Sequence, residues 1–225
     1  MDIKHNNKTF VIIPAYNEEK NISRVIDGAK EYTDNIIVVD DGSRDNTFQI
    51  AKTLNESAIV LRHKINLGKG AALKTGCEAA INLGAEKLVL MDADGQHDPN
   101  DIPKLVDKLE KENLDIVFGA RQPNENMPTM MFLGNKILTK LINFFLNIKL
   151  TDTQTGFKAL TSEAYKKLRW HSSDYSVETE MIVKAGKNNL RYGEVSIQTI
   201  YKDNYKGTTC IDGIKIFFNL IKWVI

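Results

Sequence analysis

Five short apolar runs, each cut off by polar residues and most followed by a segment of helical periodicity, constrain the architecture of this chain. They are Thr9–Ile13, Ile36–Val39, Ala58–Leu61, the run opening at Leu88, and Asp115–Gly119. Short apolar stretches bounded by turn formers read as buried strands. Between them, Glu19–Tyr32 repeats apolar residues at Ile22, Val25, Ile26 and Ala29, the spacing of one helical face. Asp45–Leu54, Lys69–Leu83 and Asn100–Lys111 also read as helices. Strands and helices alternating through short loops predict an α/β chain, with a mostly parallel sheet covered by helices on both faces. After Arg121 the rhythm breaks. No repeat, low-complexity linker or clear boundary divides the sequence, so residues 1–225 are expected to form a single domain.

Composition matters mainly for what it excludes. At 225 residues, 42% hydrophobic and 26% charged, the chain can bury a substantial core and is ordinary for a soluble protein. A formal charge of +1 provides no general attraction for nucleic acid. Cys77 and Cys210 lack metal-ligand spacing and predict a reducing, cytoplasmic setting. The opening MDIKHNNKTF does not read as a secretory leader, and no apolar run is long enough to span a bilayer.

Chemistry gathers where the strands end, which in a parallel sheet is where ligands bind. The stretch LVLMDADGQHDP delivers Asp92 and Asp94 at its end. If the strand continued, the two carboxylates would point the same way and repel unless a cation lay between them. A few hard oxygen ligands suit Mg²⁺ or Mn²⁺ carrying phosphate oxygens as its other ligands. The other ends carry Pro14-Ala15-Tyr16-Asn17-Glu18, Asp40-Asp41 and Gly119-Ala120-Arg121, and Asn66-Leu67-Gly68-Lys69-Gly70 opens a helix. Glycines around Lys69 would let backbone N–H groups and an ammonium approach an anion, although the Walker A spacing is absent. Each cluster alone has a structural explanation: a turn at Pro14 and Asn17, a helix cap at Asp45, a solvated Lys69. Five together at one sheet edge favour a nucleotide-diphosphate and metal site.

Taken in order, PAYNEE, IIVVDDGSRDNT, NLGKGAAL, MDADGQH and FGAR resemble glycosyltransferase family 2, whose fold is GT-A: a Rossmann-like sheet with added C-terminal helices and a short β addition. TDTQTGFKAL, YSVETEM and GEVSIQTIY extend the likeness along nearly the whole chain, with dolichyl- and polyprenyl-phosphate sugar synthases as the nearest group. The resemblance implies a nucleotide-sugar-binding half, 1–121, and an acceptor half, 122–225. Pro14, Tyr16 and Glu18 match the base- and ribose-binding turn, and Asp40-Asp41 the nucleotide-binding acidic step. Asp92, Asp94 and Gln96, with Ala93 between, match the metal and diphosphate cluster, and Lys69 joins the donor site. Arg121 matches an arginine that contacts phosphates near the acceptor, and Asp152 the aspartate before an SGF-like motif.

The implied reaction is an inverting, Mg²⁺- or Mn²⁺-dependent transfer of a hexose or N-acetylhexosamine to polyprenyl or dolichyl phosphate. Asp94, Arg121 and Asp152 would carry it, with Lys202 or Lys206 helping Arg121 hold the acceptor phosphate. Mannose synthases of this group carry an arginine near the position of Met130 or Met131, and an arginine and a lysine around a GES-type loop. This chain has YKDNYKGTTC there instead. Lysines replace bidentate forks by point charges, which favours a UDP-sugar over GDP-mannose. The alternatives are a GDP-mannose-dependent dolichyl-phosphate mannosyltransferase and a family member with a glycan or protein acceptor. A receiver module shares the doubly wound plan but is only ~120 residues and lacks the carboxylate pair. Glu178 and Glu180 read either as partners of a basic residue near the site or as a solvated helix face, and His97 and His171 as unremarkable.

Two segments are apolar around most of a helix: Met130–Leu150, striped by Lys136, Lys140, Asn143 and Asn147, and Ile211–Ile225, striped by Asp212, Lys215, Asn219 and Lys222. Such helices lie in a core or in a membrane interface. The second alternative places the protein at the cytoplasmic face of a membrane, with or without a further anchoring segment or subunit.

Overall fold

A computed structural model describes residues 8–54, 56, 58–121, 129–146, 148–200 and 223. Its strands are β1 Thr9–Ala15, β2 Ile36–Asp40, β3 Ile59–Arg62, β4 Lys87–Leu90, β5 Ile116–Arg121, β6 Lys158–Thr161 and β7 Tyr192–Ile197. They form one sheet in the order β3-β2-β1-β4-β6-β5-β7. Every pairing is parallel except those of β6, which runs antiparallel to both β4 and β5. The helices are α1 Ile22–Lys30, α2 Thr47–Thr53, α3 Lys69–Asn82, α4 Ile102–Lys111, α5 Thr129–Leu146, α6 Ser162–Leu168 and α7 Val177–Lys187, with a 3-10 turn at Pro99–Asp101.

Strand alternation divides the core into two layers. Phe10, Ile12, Ile37, Val39, Leu88, Leu90 and Phe118 face α3, α5, α6 and α7. Val11, Ile13, Val38, Val89 and Val117 face α1, α2 and α4. The stripe expected on α1 is fully buried there: Ile22, Val25, Ile26 and Ala29. Burial of each of the larger ones stabilises by about 1.5–3 kcal/mol.

Two expectations are corrected. The first strand does not stop at Pro14 but runs to Ala15, with Pro14 paired in register with Val39. The Ile12 carbonyl accepts from Met91 N–H and the Ala15 carbonyl from Asp41 N–H. Residue 14 therefore points toward the β4 side, past the end of β4, where a missing N–H costs no ladder bond. Conversely, β4 ends at Leu90, so Asp92 and Asp94 lie in a turn closed by Gly95 at φ +70° rather than on a continuing strand. The break in rhythm expected after Arg121 is borne out: β6 inserts between β4 and β5, antiparallel to both.

The segment at 130–150 is one-sided. Ile142 is fully buried, and Leu138, Leu141 and Leu146 pack against the α3 layer. Phe144 and Phe145, 80% and 46% exposed, point outward beside exposed Lys140. Asn143 is not part of a solvated stripe, because its amide clamps the backbone N–H and carbonyl of Leu150. Trp223 packs against the same layer; Ile211–Lys222 lie outside the described residues.

Candidate active site

The carboxyl ends of β1, β4 and β5, with Asp41 just after β2, open into a cavity of about 600 Å³. The turn after β1 is stitched to the loop after β2. Asn17, at φ +55°, donates its N–H to Ser43 Oγ (2.9 Å), and Glu18 N–H donates to Thr47 Oγ1 (2.7 Å). Asp45 accepts from Glu19 N–H and from both the N–H and hydroxyl of Thr47. Burial would raise its pKa, but these bonds outweigh it and hold the carboxyl below its ordinary range. Pro14, Tyr16 and Glu18 thereby reach the cavity wall.

The acidic step after β2 splits in two. Asp41 is on the wall and accepts from Leu67 N–H (2.9 Å), Gly68 N–H (2.7 Å) and His63 Nδ1 (2.7 Å). Asp40 is fully buried away from the wall and pairs with Arg62 Nε at 3.0 Å.

The glycine-lysine loop departs from its expected use. The N–H groups of Gly70 and Ala71 donate to the Ser173 carbonyl, at 2.7 and 3.4 Å. With Leu67 and Gly68 bonded to the Asp41 carboxylate, these backbone donors are committed within the protein instead of facing a ligand. A Cβ at Gly68 would collide with the Ser173 carbonyl, and one at Gly70 with that of Ser172. The glycines admit the protein's own chain. Lys69 is not solvated: its Nζ lies 2.6 Å from Asp92 Oδ1 and 2.9 Å from Glu178 Oε1. It also sits 6.0 Å from the centroid of the Tyr175 ring, within range of a cation–π contact. Burial lowers its pKa, yet the two carboxylates outweigh this and raise it well above the lysine range.

The two aspartates of the Asp92-Ala93-Asp94 turn are unlike. Asp92 feels a raising effect from burial, overridden by Lys69, and falls to about 2. Asp94 is raised to about 6 by burial and then by the charge of Asp92, against the bond it accepts from Gln96 N–H (2.9 Å). Asp92 N–H donates to His97 Nδ1 at 3.2 Å. The His97 ring stacks on Phe157 at 4.8 Å, and its pKa falls to about 4, chiefly through burial. Gly156 closes against the Asp92 carboxylate, where a Cβ would not fit. Among the described residues no cluster of three or more His, Cys, Asp or Glu side chains is arranged to hold a metal. Asp94, a carboxylate whose charge is disfavoured by burial and by the neighbouring Asp92, with Asp92 and Gln96 beside it, fits a divalent ion that takes its remaining ligands from phosphate oxygens.

Arg121, also on the cavity wall, ends β5. Its Nε and Nη2 donate to Asp152 Oδ2 (2.6 Å) and Oδ1 (3.0 Å), a fork-on-carboxylate geometry. Asp152 lies behind the wall, and its backbone N–H donates to Glu194 Oε1 at 3.0 Å. Burial raises its pKa, but Arg121 outweighs this and lowers it. Lys202 and Lys206 lie outside the described residues.

Neither carboxylate near the start of α7 is solvated. Glu178 bridges Lys69 and Lys158. Glu180 accepts from the N–H groups of His171 (2.9 Å) and Ser172 (2.7 Å), anchoring the segment that caps α3. His171 has its side chain in solvent. Sequence reasoning passed over Lys158, which is fully buried on β6. The available signal was a lysine inside GFKAL, a run otherwise apolar.

Residues 10–169, most of the chain, match the profile of glycosyl transferase family 2. The UDP-N-acetylglucosamine–dolichyl-phosphate N-acetylglucosaminyltransferase of Methanococcus voltae is 37% identical, over 94% of this chain and 94% of that one. The polyprenol monophosphomannose synthase of Mycolicibacterium smegmatis is 27% identical, over 98% of this chain and 88% of its own. Among solved structures, glucosyl-3-phosphoglycerate synthase from Mycobacterium tuberculosis, crystallised with Mg²⁺ and UDP, superposes with a TM-score of 0.78 at 21% identity, covering 99% of this chain and 81% of that one. That likeness establishes the GT-A fold. With the profile and the Methanococcus relative along nearly its whole length, the chain belongs to glycosyl transferase family 2 and is a glycosyltransferase.

Proposed function

We propose that this enzyme transfers a sugar, with inversion, from a UDP-sugar such as UDP-N-acetylglucosamine or UDP-glucose to a polyprenyl or dolichyl phosphate. The observation that carries the reading is the charge arrangement of the cavity: two carboxylates, Asp92 and Asp94, two residues apart in one turn, with Lys69 2.6 Å from Asp92 and Arg121 also on the wall. Such a wall suits a metal-bound diphosphate on one side and a second anion on the other. The Methanococcus relative's name supports the choice of donor and acceptor.

In this reading Pro14, Tyr16, Glu18 and Asp41 contact the base and ribose, while Asp40 supports the strand end through Arg62. Asp94, with Asp92 and Gln96, would hold Mg²⁺ or Mn²⁺, which supplies neutralisation of charge on the departing diphosphate. Lys69 faces the same diphosphate. Arg121, held in orientation by Asp152, grips the acceptor phosphate, with Lys202 and Lys206 as further cations. A phosphate ester is anionic at pH 7, so its oxygen attacks the anomeric carbon without a strong general base. The new bond forms as the bond from that carbon to the diphosphate oxygen breaks. Asp152, already engaged by Arg121, is an orienting group. Lys140, Phe144 and Phe145 on α5 would rest on the cytoplasmic face of the membrane that carries the acceptor. No helix among the described residues is long and apolar enough to cross a membrane.

A thermal-shift panel of UDP-, GDP- and dTDP-sugars with Mg²⁺ or Mn²⁺ tests the donor. Stabilisation by UDP-sugars is expected. Stabilisation by GDP-mannose alone would replace this reading with mannosyl transfer, toward which the Mycolicibacterium relative's name points.

A further inference from the structure

Behind the cavity wall four charged side chains form a row: Lys158 on β6, Glu178 on α7, Lys69 at the start of α3 and Asp92 after β4. Lys158 is 0% exposed, and its ammonium bonds to the Thr155 carbonyl and to Glu178 Oε2. Glu178 presents its other oxygen to Lys69 at 2.9 Å, and Lys69 reaches Asp92 at 2.6 Å. The signs alternate and cancel. Glu178, Lys69 and Asp92 line the cavity, whereas Lys158 does not.

A lysine buried in an inner strand is costly to desolvate; replacing it together with its carboxylate partner by apolar groups is often neutral or stabilising, whereas removing it alone leaves a buried charge unpaired. Nor does the layer need a polar group there, since Leu160, on the same face of β6, packs among apolar side chains. What a hydrophobe at 158 would change is charge. Lys69, already shared between Glu178 and Asp92, would then be left as the cation of the row against both carboxylates. The wall would carry one surplus negative charge toward any anion in the cavity.

We propose that Lys158 is a positioning residue for the diphosphate part of the site: by neutralising Glu178 from behind, it leaves the charge of Lys69 available to the donor's phosphates. The inference rests on the reading of the cavity as a nucleoside-diphosphate site. It assigns a binding role to a side chain that touches no ligand, exerted through Glu178 and Lys69.

The test is calorimetric titration of the full chain with UDP and with UMP, in Mg²⁺, for the parent, Lys158→Met and the double variant Lys158→Met/Glu178→Gln. Lys158→Met is expected to lower the preference for UDP over UMP about tenfold. The double variant, with the surplus charge removed, is expected to return to within about threefold of the parent. A merely structural lysine predicts an unchanged preference for UDP over UMP in Lys158→Met, whatever its effect on stability. An unchanged preference in Lys158→Met, or a double variant as impaired as the single one, overturns the proposal. If Lys158→Met does not fold, Lys158→Gln takes its place under the same criteria. A parent that binds neither UDP nor GDP overturns the donor reading and this inference together. A parent that binds GDP instead is titrated with GDP and GMP by the same criteria.

Discussion

Two aspartate–cation pairs flank the cavity, Asp92 with Lys69 near β4 and Asp152 with Arg121 at β5, and they differ in what stands beside them. At β5 the guanidinium fork and the carboxylate satisfy each other, and the surroundings serve to hold the pair still. At β4 a further carboxylate, Asp94, sits next to an aspartate already satisfied by lysine, and is raised to about 6. A balanced pair fixes the direction of a cation, whereas a surplus carboxylate creates demand for one. The first arrangement suits gripping a ready-made anion, the second suits recruiting a metal together with its phosphate ligands.

That contrast can be broken most severely at Asp94. Asp94→Asn is expected to lower the transfer rate by about 10²–10³-fold, measured as initial velocity with Mn²⁺, because stabilisation of a departing diphosphate is lost. Arg121→Lys keeps the charge and loses the fork. We expect kcat/KM for the lipid phosphate to fall about 10–100-fold while donor affinity, measured by titration, is retained.

Stability separates the two walls by sign. The folded pKa of Asp94 is raised above 3.8, so without metal the folded state binds more protons between about 4 and 6, and stability falls as pH rises through that window. Asp94→Asn should therefore stabilise the metal-free protein at pH 7 by about 1–2 kcal/mol, a gain that vanishes near pH 4. Asp152 is the reverse case. Its folded pKa is depressed, so its contribution is present above the ordinary aspartate range and lost as pH falls through the folded value. Asp152→Asn should destabilise at pH 7, and urea melts of both variants at pH 7 and pH 4 check the opposite signs. The smallest effect is expected on α5. Phe144→Asp with Phe145→Asp should reduce activity on a vesicle-borne acceptor by about 3–10-fold and leave nucleotide binding alone, each exposed ring contributing modestly to lipid affinity. Ile142→Asp, in the core, should unfold the protein instead.

The same division governs what could be read from the sequence. The regular alternation of strand and helix up to Arg121 follows from period and punctuation, and α1 shows why: its four apolar residues have no other face to turn to. Asp92 and Asp94 were visible because they closely follow the apolar run of β4, and Arg121 because it ends β5. Lys158 was not, because β6 is four residues long, antiparallel, and carries a charge whose partner lies twenty residues on in a helix. The roles of Gly68 and Gly70 were misread for a related reason. A glycine signals that something approaches closely, but not whether a ligand or the chain about a hundred residues later does so. Here it is Ser172 and Ser173.

The most direct measurement is transfer itself: radiolabelled UDP-N-acetylglucosamine and UDP-glucose, each with undecaprenyl or dolichyl phosphate and Mn²⁺, followed by solvent partition. The account predicts label in a lipid-phosphate sugar from one of these donors, abolished by chelator and by Asp94→Asn. Label that reaches only a soluble glycan or peptide, or lipid product that forms only from GDP-mannose, would contradict it.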